Sequence, residues 1–268
     1  GDNVGSGGIT TVYNQGVYDY VVQSPNWVGG SGLVTYHSGA GGISSSSSGS
    51  TGWGYADNPG GDISITAAQI SAIATTGTDV LLAANNDITL AGGSNIVIVN
   101  PNVGGGTLTL RAGRSILLDG NISSDGKVFL HANDTAENGV QAEYRDSGLA
   151  EIKMAAGSSI TTEGDLGLYM EDGIAAGNAG GITLSTVTAA DIDFKGDVLV
   201  TNNGRLGGNG VIDGDLSVIS ATLAPGRSPG SISVTGDLNL GSGSVLSIEL
   251  GGTAVGEIFS HWTYSRID

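Results

Sequence analysis

The stretch Thr107-Leu108-Thr109-Leu110-Arg111-Ala112-Gly113-Arg114-Ser115-Ile116-Leu117-Leu118-Asp119-Gly120-Asn121-Ile122-Ser123-Ser124-Asp125-Gly126-Lys127-Val128-Phe129-Leu130 decides how this chain folds. Apolar and polar residues alternate in short runs, the period of a half-buried strand, and Gly, Asp, Asn or Ser closes each run. No stripe at i, i+3, i+4 and i+7 develops, so a helix is excluded here. After about 20 residues the pattern starts again, with Val128 where Leu108 stood, and a period of that length belongs to a solenoid.

Working outward, the same alternation recurs at 62–65, 79–82, 87–90, 95–99, 151–154, 181–184, 197–200, 231–234 and 245–248. Leu108 to Val128, Val128 to Ile152, Ile160 to Ile182, Val198 to Leu216 and Leu216 to Leu238 read as equivalent positions about 18 to 24 residues apart. Moderate helix propensity is confined to Ala67–Ala74, a short piece rich in Ile and Ser that no apolar stripe extends. Corners carry a repeated Gly-Asp: Gly61-Asp62, Gly164-Asp165, Gly196-Asp197, Gly214-Asp215 and Gly236-Asp237. Glycine tolerates the backbone of a sharp bend, and the aspartate is expected to cap the turn before an inward apolar residue. The expected fold is all-β, a right-handed parallel β-helix with rungs of about 20 residues sharing one core of Ile, Val, Leu and Ala.

Composition agrees. The 268 residues include 48 Gly but only 5 Pro, without the Gly-X-Y period of collagen. With 39% apolar and 13% charged residues the chain can bury a core. A net charge of −17 argues against binding nucleic acid or an anionic membrane, because too few cations are present to neutralise phosphates. There is no Cys, hence no disulfide framework or thiolate metal site.

Two regions depart from the repeat. Residues 134–148 are a polar insertion expected to leave a corner as a surface loop. Residues 1–60 read as irregular rungs with a Gly/Ser loop at about 39–52, and they hold Tyr13, Tyr18, Tyr20, Trp27, Tyr36, Trp53 and Tyr55. These aromatics either fill irregular rungs or form a recognition surface for sugar rings or another protein. The regular β-helix is expected over 61–268. The chain opens at Gly1-Asp2-Asn3 and stops at Ser265-Arg266-Ile267-Asp268, like the start of another strand, so the expectation is a piece of a longer exported protein.

The segments Asn86-Asp87-Ile88-Thr89-Leu90-Ala91-Gly92-Gly93 and 107–116 resemble repeats of large bacterial exoproteins of the filamentous-haemagglutinin type. Residues 208–252, with Leu223-Ala224-Pro225-Gly226-Arg227-Ser228-Pro229-Gly230 at their centre, resemble the passenger-associated repeat of autotransporters. The resemblance implies a right-handed β-helix that passes an outer-membrane secretion barrel and acts outside the cell as stalk, adhesin or fibre. Partners implied are that barrel, further copies of the chain, and a host or matrix glycan.

Enzymatic alternatives leave weaker marks. Some β-helices are polysaccharide lyases or hydrolases, and stacked corners can bring Asp197, Asp215 and Asp237 into a column at the spacing of about 5 to 10 Å that paired glycosidase carboxylates use. Turn capping is the preferred reading for these acids. Asp191 and Asp193 share a strand face with Lys195, which is expected to answer them. His37, His131 and His261 lack metal-ligand spacing, and neither an EF-hand loop nor a calcium-binding nonapeptide is present. Residues 120–128 imitate a phosphate loop but carry Val128 where Ser or Thr would hold magnesium. No catalytic residue, cofactor or metal site is assigned, and a structural or adhesive role is expected.

Overall fold

The computed structural model describes residues 64–102, 104–174, 178–226 and 230–248, together with the backbone of strands Ile9–Asn14, Val17–Ser24, Leu33–Ser38, Gly42–Ile43, Thr51–Trp53 and Arg266–Ile267. The described residues are mostly β. One 19-stranded parallel sheet wraps around an apolar interior, because consecutive strands do not pair with each other in the main. Each instead lies beside the strand three places along, which sorts the strands into three ladders.

In the first ladder Val80 stacks on Leu108, then Val128, Leu166, Ile192, Gly210 and Ile232. In the second Ile88 stacks on Ile116, Ile152, Ile182, Val198 and Leu216. In the third Ile96 stacks on Ile122, Ile160, Val187, Leu206 and Leu223. Nearly all of these side chains are buried, and Leu108, Ile116, Ile152, Ile160, Leu166 and Leu223 are fully so. Burying one such side chain is worth about 1.5–3 kcal/mol, but only a stack of rungs buries it completely.

Register corrects two of the equivalences read from spacing. Val128 pairs with Leu166 rather than Ile152, and Ile160 pairs with Val187 while Ile182 takes Ile152. The insertion after Val128–Ala132 lengthens that turn of the coil, so the second-ladder strand Ala150–Met154 arrives late. The equivalences of Leu108 with Val128, of Val198 with Leu216 and of Leu216 with Leu238 hold.

The corners are built differently from the expected self-capped turns. The Asp215 backbone N–H donates to Asp197 Oδ1 at 3.0 Å, and the Asp237 N–H to Asp215 Oδ1 at 2.8 Å. Each carboxylate thus serves the next rung rather than its own turn. Asp79 does the same for the Thr107 N–H and Asn209 for the Ser231 N–H. Gly196 has φ +123°, but Gly164 has no such angle. What requires glycine at 164 is crowding, since a Cβ there would lie 2.7 Å from the Gly126 carbonyl oxygen. Gly61 and Asp62 lie outside the described residues. Other corners use no Gly-Asp at all. Extended backbone runs through Ala179–Lys195 and Val198–Asp213, crossing all three ladders, with Asn202 and Asn203 in the left-handed region at one bend.

The one helix among the described residues, Ala67–Ala74, forms where moderate propensity stood. A capping box starts it: the Gln69 N–H donates to the Thr66 hydroxyl oxygen and the Thr66 N–H to Gln69 Oε1. Its buried face is Ile70 and Ala74. The helix lies along the first strand of the third ladder, where the Val97 N–H donates to Ser71 Oγ at 2.8 Å and Asn100 Nδ2 to the Thr75 carbonyl at 2.6 Å. It thereby satisfies a strand edge that would otherwise be open.

Toward the N-terminus the strands pair antiparallel, Ile9–Asn14 with Val17–Ser24 and the latter with Leu33–Ser38. This differs from the irregular rungs read there, since a rung of the coil pairs parallel to its neighbour. Thr51–Trp53 pairs parallel to Val80–Ala84 as a first-ladder strand.

Candidate functional site at the corner beneath the insertion

Chemistry-bearing side chains gather where the first ladder turns toward the second. Along Leu108–Ala112, Val128–Ala132 and Asp165–Met170, alternation sends Leu110, Leu130 and Leu168 inward. The residues that follow them, Arg111, His131 and Tyr169, face outward at matched register, and Lys195 continues the column. The His131 and Tyr169 rings stack with centroids 4.8 Å apart and planes 23° from parallel. Gly167 permits this, because a Cβ there would strike the Tyr169 ring and reach Phe129 Cδ1 at 2.7 Å. The Tyr169 hydroxyl donates to Asp193 Oδ2 at 2.9 Å. Burial, then that bond to a carboxylate, pushes its pKa far above the ordinary 10, so it stays a donor. His131 Nδ1 lies 2.8 Å from Glu171 Oε1.

Lys195 is placed otherwise than expected. Its Nζ lies 3.8 Å from Glu171 and 3.6 Å from Asp172, not against the acids of its own strand. Column neighbours across rungs are closer than a side chain two positions along the strand.

The insertion is anchored beside this column. Arg111 grips Asp134 in bidentate fashion, Nε at 2.6 Å and Nη2 at 3.1 Å. Asp134 is fully buried and also accepts from the Thr135 N–H and Asn138 Nδ2. Its neighbour Asn133 is buried with φ +56° and donates through Nδ2 to the Glu171 carbonyl at 2.7 Å. Arg145, almost wholly buried, donates Nε to the Gly113 carbonyl at 2.7 Å, Nη1 to the Asp146 carbonyl at 2.8 Å and Nη2 to the Gly148 carbonyl at 3.3 Å. Burial, then the neighbouring Arg114 charge, lowers its pKa. Val140 is buried, and the Gln141 N–H donates to Asn85 Oδ1. The loop is therefore pinned at 134, 140–141 and 145, with single 3-10 turns at Ala136–Asn138 and Ala142–Tyr144 between the pins.

Residues 136–139, 142–144 and 146–148 are exposed while Asp134, Val140 and Arg145 are buried, and this anchoring is not legible in the sequence. The available signal was an arginine set among acids, and nothing in the sequence says that Arg145 turns inward. The Asp column also resolves chemically. Asp197 and Asp215 accept backbone N–H groups of the next rung, and Asp134, Glu171 and Asp193 all hold partners, so these carboxylates do structural work. Among the described residues no group of three or more His, Asp or Glu converges as metal ligands would. The imitation phosphate loop is two strands, Asn121–Ser124 and Val128–Ala132, with no helix after it.

Of the aromatic candidates, Tyr13, Tyr18, Tyr20, Tyr36 and Trp53 belong to strands described by their backbone, in which Tyr13 is paired with Tyr18 and Tyr20 with His37. Their side chains lie outside the described residues, as do Trp27, Tyr55 and His261. No family model, curated protein or solved structure matches this chain. Function is therefore read from the fold and from this corner.

Proposed function

We propose that this chain is a segment of a right-handed parallel β-helix from a secreted or surface-anchored bacterial exoprotein, working as stalk, adhesin or extracellular fibre. Right-handedness follows from the general rule that crossovers between parallel strands of one sheet take that hand in about 98% of cases. The observation that carries the reading is the continuity of register. Three ladders keep their inward columns in step even across the insertion after Ala132. A coil of that kind supplies reach and stiffness, while insertions at its corners are free to make contacts. Export through an outer-membrane barrel suits a chain without Cys, since no disulfide hinders threading. A host or matrix glycan and further copies of the chain are the proposed contacts.

The polysaccharide-active alternative gains nothing from Asp197 and Asp215, whose carboxylates are tied to the next rung. The test uses beads coated with the whole chain, flowed over immobilised matrix proteins and glycans, with reducing ends assayed in parallel. Retention without turnover is expected. Turnover of an acidic polysaccharide, or beads that adhere no better than uncoated ones, overturns the reading.

A further inference from the structure

The insertion is held more firmly than a spacer between two strands needs to be. Three groups that prefer water or a full hydrogen-bond set, Asn133, Asp134 and Arg145, are buried to pin it. Burying charges is costly unless every partner is supplied, and here they are supplied by Arg111, Thr135, Asn138 and the carbonyls of Gly113, Asp146 and Gly148. Between and after these pins the loop turns two large side chains to solvent, Tyr144 at 42% and Leu149 at 65% exposure. They flank the bend that Arg145 closes through the Asp146 and Gly148 carbonyls, and Gly148, at φ +117°, lets the chain reverse there. Glu137, Glu143 and Asp146 are exposed on the same loop, while its one cation, Arg145, faces inward. The loop thus presents two exposed apolar side chains and the carboxylates of Glu137 and Glu143, while Asp146 accepts from Asn86 Nδ2 at 2.6 Å and lies 3.9 Å from Arg114 Nη1.

We propose that residues 134–149 are a preorganised docking loop for a cationic segment of another protein, with Tyr144 and Leu149 as apolar anchors and Glu137 and Glu143 as acidic contacts. A loop ordered before binding loses little entropy when its partner arrives, and exposed Tyr is efficient at interface centres. The occupant follows from charge complementarity. Glu137, Glu143 and a chain carrying −17 repel acidic glycans and nucleic acid, and draw in a Lys- or Arg-rich segment with interspersed apolar residues. This deepens the adhesive reading and rests on it.

The probes are two immobilised synthetic peptides, one alternating Lys and Leu and one alternating Glu and Leu, with the whole chain as analyte in biolayer interferometry. Binding to the Lys/Leu peptide alone is expected, weakening as salt rises. The double variant Tyr144→Ala/Leu149→Ala is expected to bind at least about tenfold more weakly. Glu137→Gln/Glu143→Gln should weaken binding more than the charge-matched control Asp119→Asn/Asp191→Asn. Arg145→Ala, which leaves the tip residues in place, should weaken binding and speed amide exchange at 140–149; circular dichroism verifies that each variant is folded. Equal binding by the tip variants and the control overturns the proposal, and so does preference for the Glu/Leu peptide or for an uncharged glycan. Bead adhesion that survives Tyr144→Ala/Leu149→Ala sinks only the docking loop, whereas wild-type beads that never adhere sink the adhesive reading itself.

Discussion

The backbone N–H of Asp237 donates to the carboxylate Oδ1 of Asp215 at 2.8 Å, one rung below it. The Asp215 backbone N–H in turn donates to Asp197 Oδ1 at 3.0 Å. The side chain that sequence reading assigns to its own turn is a strut between turns. Asp215→Ala should therefore lower stability by about 0.5–1.5 kcal/mol, the net worth of one such bond. Asp215→Asn, which keeps the acceptor oxygen, should cost less. Urea unfolding of the two variants distinguishes a strut from a decorative charge, since a surface charge alone predicts equal effects.

Gly210 has φ +132°, and a Cβ on it would run into the backbone of Ile192 in the neighbouring rung. Neither the angle nor the backbone can yield cheaply. Gly210→Ala is expected to cost at least about 2 kcal/mol. Gly93→Ala, at a positive-φ turn with open space around it, should cost less, because only the angle is penalised. Thermal melts of the pair separate strain from collision.

Asp134 tests the anchoring of the insertion. Removing it takes the bidentate carboxylate from the Arg111 guanidinium and the acceptor from the loop donors, so Asp134→Ala should destabilise by about 3 kcal/mol, as breaking a buried pair does. Protease digestion should then cut within 134–148 before it cuts the coil. A variant as resistant as wild type would mean that other contacts hold the loop.

Asp87 predicts an acid-sensitive contribution. Burial alone would raise its pKa, but the Arg114 hydrogen bond, the Ser115 N–H and the charges of Arg114 and Arg145 outweigh burial and hold it below the ordinary 3.8. The folded form thus releases its proton more readily than the unfolded one. Its contribution is complete above the unfolded value and is lost as pH falls from about 3.8 through the lower folded value. Between pH 6 and 8 this group adds no pH dependence. Melting temperatures measured between about pH 2.5 and 5 should fall less steeply for Asp87→Asn than for wild type.

Particular residues mark how far sequence reading reaches. The inward columns are legible because each strand alternates with period two, so the local pattern alone assigns Leu108, Ile116, Ile122 and Val128 to the inner side of the sheet. The stacking of Leu216 on Leu238 is legible because no insertion separates them. Spacing gives Val128 the wrong partner because spacing counts residues, and the coil counts strands. The capping box at Thr66 and Gln69 is present in the sequence but hard to read there, since an eight-residue helix leaves almost no periodic trace.

Local chemistry determined the alternation, the places where turns fall and the acidity of the surface, all of which depend on neighbours in the chain. What only tertiary structure decided is which residues meet across rungs. Arg145 reaches the Gly113 carbonyl and His131 stacks on Tyr169 because an insertion folds back over a corner and two strands far apart in sequence lie side by side. Contacts at those separations are set by the path of the coil, and no local pattern of residues encodes them.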